Sequence, residues 1–325
     1  MQVTTAHQAG SGNLLLGVLF GAGAGALWGL VFLTPELARA FSPLQLTIGR
    51  YLAYGLISVA LIAPRWRALR RQLSRREWVA LCWLSLAGNT LYYILLSSAV
   101  QLGGIAMTSL VIGFIPVAVT IAGSRDEGAV SLRRLAPSLL LCSAGAVCIG
   151  WQAIAIPAAG SIGVRLIGLG CAVGALASWS IYAINNSRWL VRLDHVTAHD
   201  WNLLIGIVTG AQALALVPVS LLLDDMRHDV LAWARFAAVS VGVAVFASIV
   251  GSLLWNRMSR LLPLTLVGQM ILFETLFALI YCFLWEQRAP TTLEAAAFAL
   301  VVASVWSCIK AHRGPAVIPR PAPAP

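Results

Sequence analysis

Two ionisable side chains, Glu274 and Arg50, lie inside apolar stretches that are long enough to cross a lipid bilayer. Glu274 comes eleven residues after Pro263, a rise of about 16 Å along a helix, which is too deep for its short side chain to reach bulk water. The carboxyl must therefore be protonated, paired or exposed to a wet cavity. We predict that it exchanges protons or contacts a cationic group of a solute. The alternative is a protonated carboxyl that is hydrogen-bonded to a neighbouring helix.

Arg50 follows Pro43 by seven residues, which places it about 10 Å along its own helix. Two interpretations are open. The long aliphatic stem can carry the guanidinium outward to the membrane surface, or the charge can act inside the protein in coupling or gating. At this depth we do not expect Arg50 to be the partner of Glu274.

Aromatic rings and small polar groups form a second set of candidate residues inside the apolar stretches. Several are spaced three or four residues apart, which places them on one helix face. Polar groups in hydrocarbon normally face a neighbour or a cavity, and a cavity lined by aromatic rings suits a small amphipathic solute better than a bare ion. For each residue alone, helix packing is an equal alternative. The candidate binding residues are Trp28, Asn89, Tyr92, Tyr93, Trp179, Tyr182, Ser248, Ser252 and Gln269.

Membrane-spanning helices must position these residues. The chain is 59% hydrophobic and only 10% charged, with a mean hydropathy of +0.85, which is far too apolar for a soluble domain. We predict an all-α integral membrane protein with ten transmembrane helices of about 20 residues each. The predicted spans are 14–33, 44–63, 78–99, 104–123, 135–153, 162–184, 200–221, 235–256, 263–285 and 291–309.

The second half of the chain repeats the first, as in many membrane transporters. Five predicted helices per half is an odd number, so we predict two inverted repeats. The matching segments are 113–116 and 126–127 with 272–275 and 285–286 at a shift of 159 residues, and 26–29 with 177–180 at a shift of 151. The predicted divisions are a cytoplasmic tail at 1–13, repeats at 14–157 and 158–310, and a disordered Pro-rich tail at 311–325.

Basic residues predict the orientation, because cytoplasmic loops retain more Lys and Arg than translocated loops. Sixteen of the 22 basic residues fall on the side of both termini, so both termini are predicted to be cytoplasmic in a multi-pass protein of the bacterial inner membrane. This asymmetry and contact with anionic lipid explain the net charge of +10, and no nucleic-acid partner is expected. The five residues in the opposite loops are Arg39, Arg165, Arg227, Arg235 and Arg288.

Small residues and tryptophans have simpler structural interpretations. Glycines recur every four residues from Gly17 to Gly29, and more loosely from Gly170, which predicts close helix packing; the functional alternative is helix sliding during transport. Most other tryptophans, including Trp201 and Trp255, are predicted to lie in the aromatic belts at the membrane surfaces.

The six cysteines lack Cys-x-x-Cys spacing or histidine partners, so no metal or other cofactor is predicted.

Taken together, the order and spacing of these motifs resemble the drug/metabolite transporter superfamily, EamA type, over residues 14 to 309. The resemblance is consistent with a coupling or gating role for Arg50, Pro116 and Glu274. A looser similarity to the YddG-like branch of bacterial exporters implies aromatic and other neutral amino acids as solutes. It also implies a basket of ten helices, of which the first, third, fourth, sixth, eighth and ninth surround a central cavity, and two halves that rock to expose this cavity alternately. The matching residues are Trp28, Gly29, Ser42, Pro43, Leu44, Arg50, Pro116, Glu127, Glu274 and Glu286.

Two other classes of protein are weighed against a transporter. A membrane-embedded enzyme would need a catalytic constellation, and the predicted spans contain no acidic pair, histidine cluster or Ser-His-Asp arrangement. A passive channel would not need a carboxyl at the depth of Glu274. The solute, the direction of transport, the oligomeric state and the coupling ion, for which protons are the candidate, remain open at this stage.

Overall fold

The computed structural model describes residues 11–125, 130–155, 162–193 and 195–313. Within these ranges every regular element is helical, as predicted for an all-α protein. Most of both predicted tails, and Glu127 of the first repeat, lie outside the described residues. The α-helices are α1 (Ser11–Gly29), α2 (Thr34–Leu37), α3 (Pro43–Ile62), α4 (Trp66–Gln72), α5 (Arg75–Ser85), α6 (Leu91–Ile112), α7 (Ile115–Gly123), α8 (Leu132–Ala155), α9 (Ile162–Arg192), α10 (Ala198–Leu223), α11 (Val230–Val243), α12 (Ser252–Leu261), α13 (Leu264–Met270), α14 (Leu272–Glu286) and α15 (Thr292–Arg313).

Eight helical segments in the described part of the chain are long and apolar enough to cross a membrane. The predicted spans 104–123 and 135–153 are not among them. The first is divided, because α6 ends at Ile112 and α7 begins at Ile115, and the second forms α8. The ten-helix arrangement therefore stays a prediction. The eight segments are Asn13–Leu37, Pro43–Gln72, Arg75–Gly104, Leu166–Arg192, Ala198–Leu223, Val230–Leu261, Leu264–Trp285 and Thr292–His312.

Helix α3 begins where its local sequence dictates. The Ser42 hydroxyl accepts a hydrogen bond from the backbone N–H of Gln45, and the Gln45 side chain accepts one from the backbone N–H of Ser42. Pro43 occupies the first helical position, where its missing N–H costs nothing. This capping box fixes the start of α3 and thereby the depth of Arg50 along the helix.

Long helices of both halves are interrupted at matching places. A π-helical stretch, Leu86–Thr90, joins α5 to α6, and a second one, Ala244–Gly251, joins α11 to α12. A shift of 159 residues carries the first stretch into the second. The same shift carries Ile112, the last residue of α6, onto Ile271, which separates α13 from α14. The sequence repeat therefore extends to the irregular turns of the helices.

Helix packing follows the repeat as well. The most extensive contacts join α6 to α9, α3 to α10, α8 to α15 and α1 to α14. Because α1 corresponds to α9 and α12 corresponds to part of α6, the packing of α1 on α12 has its counterpart in the packing of α9 on α6. Helices α3 and α10 occupy the same place in the two halves and cross closely. A Cβ atom at Gly55 would lie 2.7 Å from the Cα atom of Gly210.

The glycine stripe of α1 is a packing surface, as predicted. Gly25 makes the closest approach to another backbone: a Cβ atom there would lie 2.7 Å from the backbone nitrogen of Glu274 and 2.5 Å from the Cβ atom of Phe273. Real Cβ atoms do not approach other heavy atoms so closely, so α1 can rest on the start of α14 only with glycine at this position. The looser stripe differs, since Gly170 has no such neighbour within 4 Å.

Candidate solute-binding site

One cavity in the described part of the protein gathers most of the predicted site residues. The space inside it that can hold water is about 30 Å³. Since a single water needs roughly 10–15 Å³ by this measure, the cavity is constricted and has room for only a few waters. The predicted residues that line it are Trp28, Arg50, Asn89, Tyr92, Trp179, Tyr182, Ser252 and Glu274.

Arg50 points into the protein and not toward the membrane surface, so the snorkelling interpretation is wrong. Its side chain is buried, and Nε donates a hydrogen bond of 3.0 Å to the Ser248 hydroxyl in the second π-helical stretch. The guanidinium carbon lies 4.6 Å from the ring centre of Tyr93 and 5.0 Å from that of Tyr51. These rings give the cation partial compensation through cation–π contacts.

Glu274 lines the same cavity and is also buried. It lies in the first turn of α14, and its backbone N–H donates a 2.9 Å hydrogen bond to the carbonyl of Ile271. Among the described residues it forms no ion pair with Arg50, although both side chains line the same cavity. The cavity thus holds one acidic and one basic side chain, contributed by different halves of the chain and not paired with each other.

Three tryptophans pack together at the cavity wall. The ring centre of Trp28 lies 5.8 Å from that of Trp179 and 5.0 Å from that of Trp255, and the last two are 5.3 Å apart. The Trp28 indole N–H donates a 3.0 Å hydrogen bond to the carbonyl of Ala247. This carbonyl belongs to the second π-helical stretch, so an irregular turn in one half holds a tryptophan of the other half.

Two polar side chains contributed by α12 and the first π-helical stretch complete the wall. Asn89 donates a 3.1 Å hydrogen bond to Thr209 on α10. The Ser252 hydroxyl donates one of 3.4 Å to the carbonyl of Ala247. Tyr182 packs against Trp179, with ring centres 5.9 Å apart. The wall therefore combines aromatic faces with a few hydrogen-bonding groups held in place by neighbouring helices.

Four predicted residues do not line the cavity. Tyr93 and Ser248 lie behind it and contact Arg50. Gln269 is buried on α13, where its amide accepts a hydrogen bond of 3.2 Å from Ser304 on α15. Pro116 is buried in the first turn of α7. The structure therefore brings Tyr93 and Ser248 to the site as supports of Arg50, and it leaves Gln269 and Pro116 in helix packing.

The sequence interpretation missed other residues of the site. Val31, Tyr51 and Gly88 line the cavity, and Trp255, which was assigned to an aromatic belt, is buried against the rings of Trp28 and Trp179. That assignment is wrong because α12 continues to Leu261, six residues beyond Trp255. One signal was available: Trp255 follows Ser252 by three residues, so both lie on one helix face.

Trp201 is also buried and does not belong to a surface belt. Its indole N–H donates a 2.9 Å hydrogen bond to the side-chain oxygen of Asn186. The Asn186 amide in turn donates one of 3.0 Å to Asn256. These bonds join α10, α9 and α12, so they form a buried polar link among three helices of the second half.

Two contacts between charged or ionisable side chains join the two halves at one end of the helical bundle. The Arg65 guanidinium, just beyond α3, lies 3.0 Å from an oxygen of Asp200 in the first turn of α10. The His195 ring lies 3.2 Å from an oxygen of Glu77 in the first turn of α5. The starts of α5 and α10 are thereby tied to neighbouring segments of the opposite half.

Comparisons with known proteins identify the family. The EamA-like transporter family matches residues 15–125. Inner membrane protein YtfF of Escherichia coli strain K12 is 32% identical to this chain over 316 residues, which are 92% of this chain and 96% of YtfF. One solved crystal structure of a protein superposes with a TM-score of 0.69 at 19% identity and covers 91% of this chain and 97% of its own. That likeness shows a shared fold.

This chain therefore belongs to the EamA-like transporter family. It is a multi-pass protein of the inner membrane, as its similarity to YtfF and its eight apolar helical segments show. The resemblance to the EamA type read from the sequence is confirmed. The narrower similarity to aromatic amino-acid exporters stays a prediction.

Proposed function

We propose that this transporter exports small amphipathic metabolites, with aromatic and other neutral amino acids as its solutes. One observation carries the proposal: a central cavity walled by aromatic rings also holds a buried arginine and a buried glutamate, which form no ion pair with each other among the described residues. A zwitterion with an apolar side chain complements both features. Aromatic faces bind the side chain, and the two charges face the backbone groups of the amino acid.

Alternating access is the mechanism that fits this cavity. Binding sites for small organic molecules usually occupy about 300–1,000 Å³, whereas little of the present cavity is open even to water. The helices must therefore move to admit a solute. We place the ten predicted helices in two inverted repeats whose rocking opens the cavity to one side and then the other. Opening the end joined by the Arg65–Asp200 pair requires that ion pair to separate.

Counterflow in proteoliposomes tests the proposed function. Vesicles that contain the purified protein are loaded with unlabelled tryptophan and supplied with a trace of labelled tryptophan outside. A carrier accumulates label transiently, whereas a passive channel only equilibrates it, and empty vesicles provide the control. Phenylalanine, leucine and an unrelated amphipathic drug extend the panel. Exchange of the drug but of no amino acid would assign the protein to another solute of the family.

A proton gradient imposed on the same vesicles tests the coupling ion. Glu274 is the candidate proton carrier, since a carboxyl in a low-dielectric cavity can change its protonation as the cavity opens to either side. Net efflux driven by an inward proton gradient supports proton coupling. Equal exchange with and without the gradient identifies a facilitative carrier.

A further inference from the structure

We propose that Arg50 is the anchor for a carboxylate group of the solute, which makes that group a requirement for binding. The inference rests on the proposed transport function and goes beyond it, because it assigns the orientation of the solute and names the chemical group that is recognised. It starts from the hydrogen bonds that Arg50 makes and from those that it does not make.

Only Nε of the Arg50 guanidinium has a hydrogen-bond acceptor within the described residues, namely the hydroxyl of Ser248. The terminal nitrogens Nη1 and Nη2 have none there, although the side chain is only 6% exposed and lines the cavity. A buried guanidinium without a carboxylate partner is costly. The rings of Tyr51 and Tyr93 offset part of this cost, but a ring face does not replace the two parallel acceptors that an arginine fork can engage.

A carboxylate supplies those two acceptors. Its oxygens match the planar fork of arginine and form two parallel hydrogen bonds. A phosphate offers similar geometry, but Glu274 lines the same cavity, and its carboxylate form opposes a dianion. The same carboxylate of Glu274 favours an ammonium group on the solute. The pair of charges therefore selects a monoanionic carboxylate that also carries a positive charge.

The anchor is present in one half of the protein only. At the shift of 151 residues, Trp201 stands where the second half would carry the counterpart of Arg50, and its indole is buried against Asn186. Because Arg50 has no counterpart in the second half, the two sides of the cavity differ in charge. The solute is thereby bound in one orientation, with its carboxylate toward α3 and its ammonium toward α14.

Competition in the counterflow assay tests the proposal with three indole compounds of similar size. Tryptophan carries both charges, tryptamine lacks the carboxylate, and indole-3-propionate lacks the ammonium. We expect tryptamine to compete at least about tenfold more weakly than tryptophan, the effect of losing a hydrogen bond to a charged group. Equal competition by tryptamine and tryptophan at the unmodified protein would overturn the proposal without touching the transport function.

Arg50→Lys and Arg50→Gln locate the recognition at this residue. Lysine keeps the charge but not the fork, so the discrimination between tryptophan and tryptamine should shrink, and glutamine should abolish it. Arg67→Gln is the control, because Arg67 is exposed on α4. If either Arg50 variant discriminates as sharply as the parent, Arg50 is not the anchor. The measurement on the unmodified protein decides the matter if both variants fail to fold.

Thermal stability provides a readout that does not depend on transport. Indole-3-propionate should raise the melting temperature of the detergent-solubilised parent and of Arg67→Gln, raise that of Arg50→Lys by less, and leave that of Arg50→Gln unchanged. If no amino acid is exchanged in vesicles, the proposed solute class fails, and this assay still reports whether Arg50 binds carboxylates. Equal stabilisation of the parent and of Arg50→Lys contradicts the anchor.

Discussion

Glu274 combines three properties at the scale of a single residue: it is buried, it lies in the first turn of α14, and it shares a cavity with Arg50. Glu274→Gln keeps the size of the side chain and most of its hydrogen-bonding capacity but cannot ionise. We expect transport to fall by about tenfold or more, as when a hydrogen bond to a charged group is lost, and its pH dependence to flatten. Initial rates of exchange measured between pH 5.5 and 8.5 check both effects.

Glu36→Gln is the matched control for this experiment, because Glu36 forms an i,i+3 ion pair with the exposed Arg39. Surface pairs of this kind contribute little to stability. A Glu274→Gln variant that keeps the rate and the pH profile of the parent would show that Glu274 neither couples protons nor contacts a cationic group. In that case the protonated, hydrogen-bonded interpretation of Glu274 stands.

Trp179 is the aromatic residue on which a second prediction is made. It contacts the rings of Trp28, Trp255, Tyr92 and Tyr182, so truncation to alanine would remove packing worth about 3–5 kcal/mol along with solute contacts. Trp179→Phe retains an apolar ring. We expect it to lower transport severalfold while the melting temperature changes by only a few degrees.

Trp189→Phe provides the comparison for Trp179→Phe, because Trp189 stacks on Trp201 away from the cavity. Counterflow rates and melting temperatures are measured for both variants. A large loss of stability in Trp179→Phe, with normal transport by the protein that remains folded, would identify Trp179 as a packing residue only.

At the scale of helices, the contact of α1 with α14 leads to a third prediction. Gly25→Ala places a methyl group 2.7 Å from the backbone nitrogen of Glu274, which neither helix can avoid by a side-chain rotation. Overpacking of this kind costs about 1–3 kcal/mol. We expect a lower melting temperature and reduced transport, because α14 also positions Glu274.

Gly170→Ala is the matched control for Gly25→Ala, since Gly170 lies in α9 with no neighbour within 4 Å of the added atom. Alanine there should leave stability unchanged or raise it by up to about 1 kcal/mol through helix propensity. Thermal unfolding of both variants in one detergent makes the comparison. Equal melting temperatures for the two would contradict the role of Gly25 in close packing.

Helical periodicity explains which parts of the site were predictable from the sequence. Asn89 and Tyr92, and likewise Trp179 and Tyr182, lie three residues apart, and each pair reaches the cavity. Gln269 shows the limit of this reasoning: polarity and depth do not specify which neighbour a side chain faces, and it turns toward Ser304.

The interruptions of the helices could not be predicted from composition or periodicity. Hydropathy is nearly constant through a π turn, because the turn changes hydrogen-bond partners and not residue types. The break before α7 likewise left the predicted span 104–123 without a continuous helix. Assignments made by distance from a predicted span end, as for Trp255, fail when the helix continues past that end.

At the scale of the whole molecule, the asymmetry of basic residues yields a topological prediction. A reporter fused after Arg320 should be cytoplasmic, and one inserted between α10 and α11, within residues 224–229, should be external. The reason is that sixteen basic residues fall on one predicted side and five on the other. Activity of paired alkaline phosphatase and fluorescent protein fusions measures the location. Both fusions on one side would rule out the ten-helix arrangement.

The matching π-helical stretches carry information about the history of the gene. Leu86–Thr90 and Ala244–Gly251 correspond at the same shift that aligns the motifs around Ile115 and Glu274. A distortion shared by both halves is most simply inherited from one ancestral unit, so it arose before the duplication. The arginine found in only one half distinguishes the two copies today. The distorted backbone thus dates from before the duplication, whereas the difference in charge between the two copies arose after it.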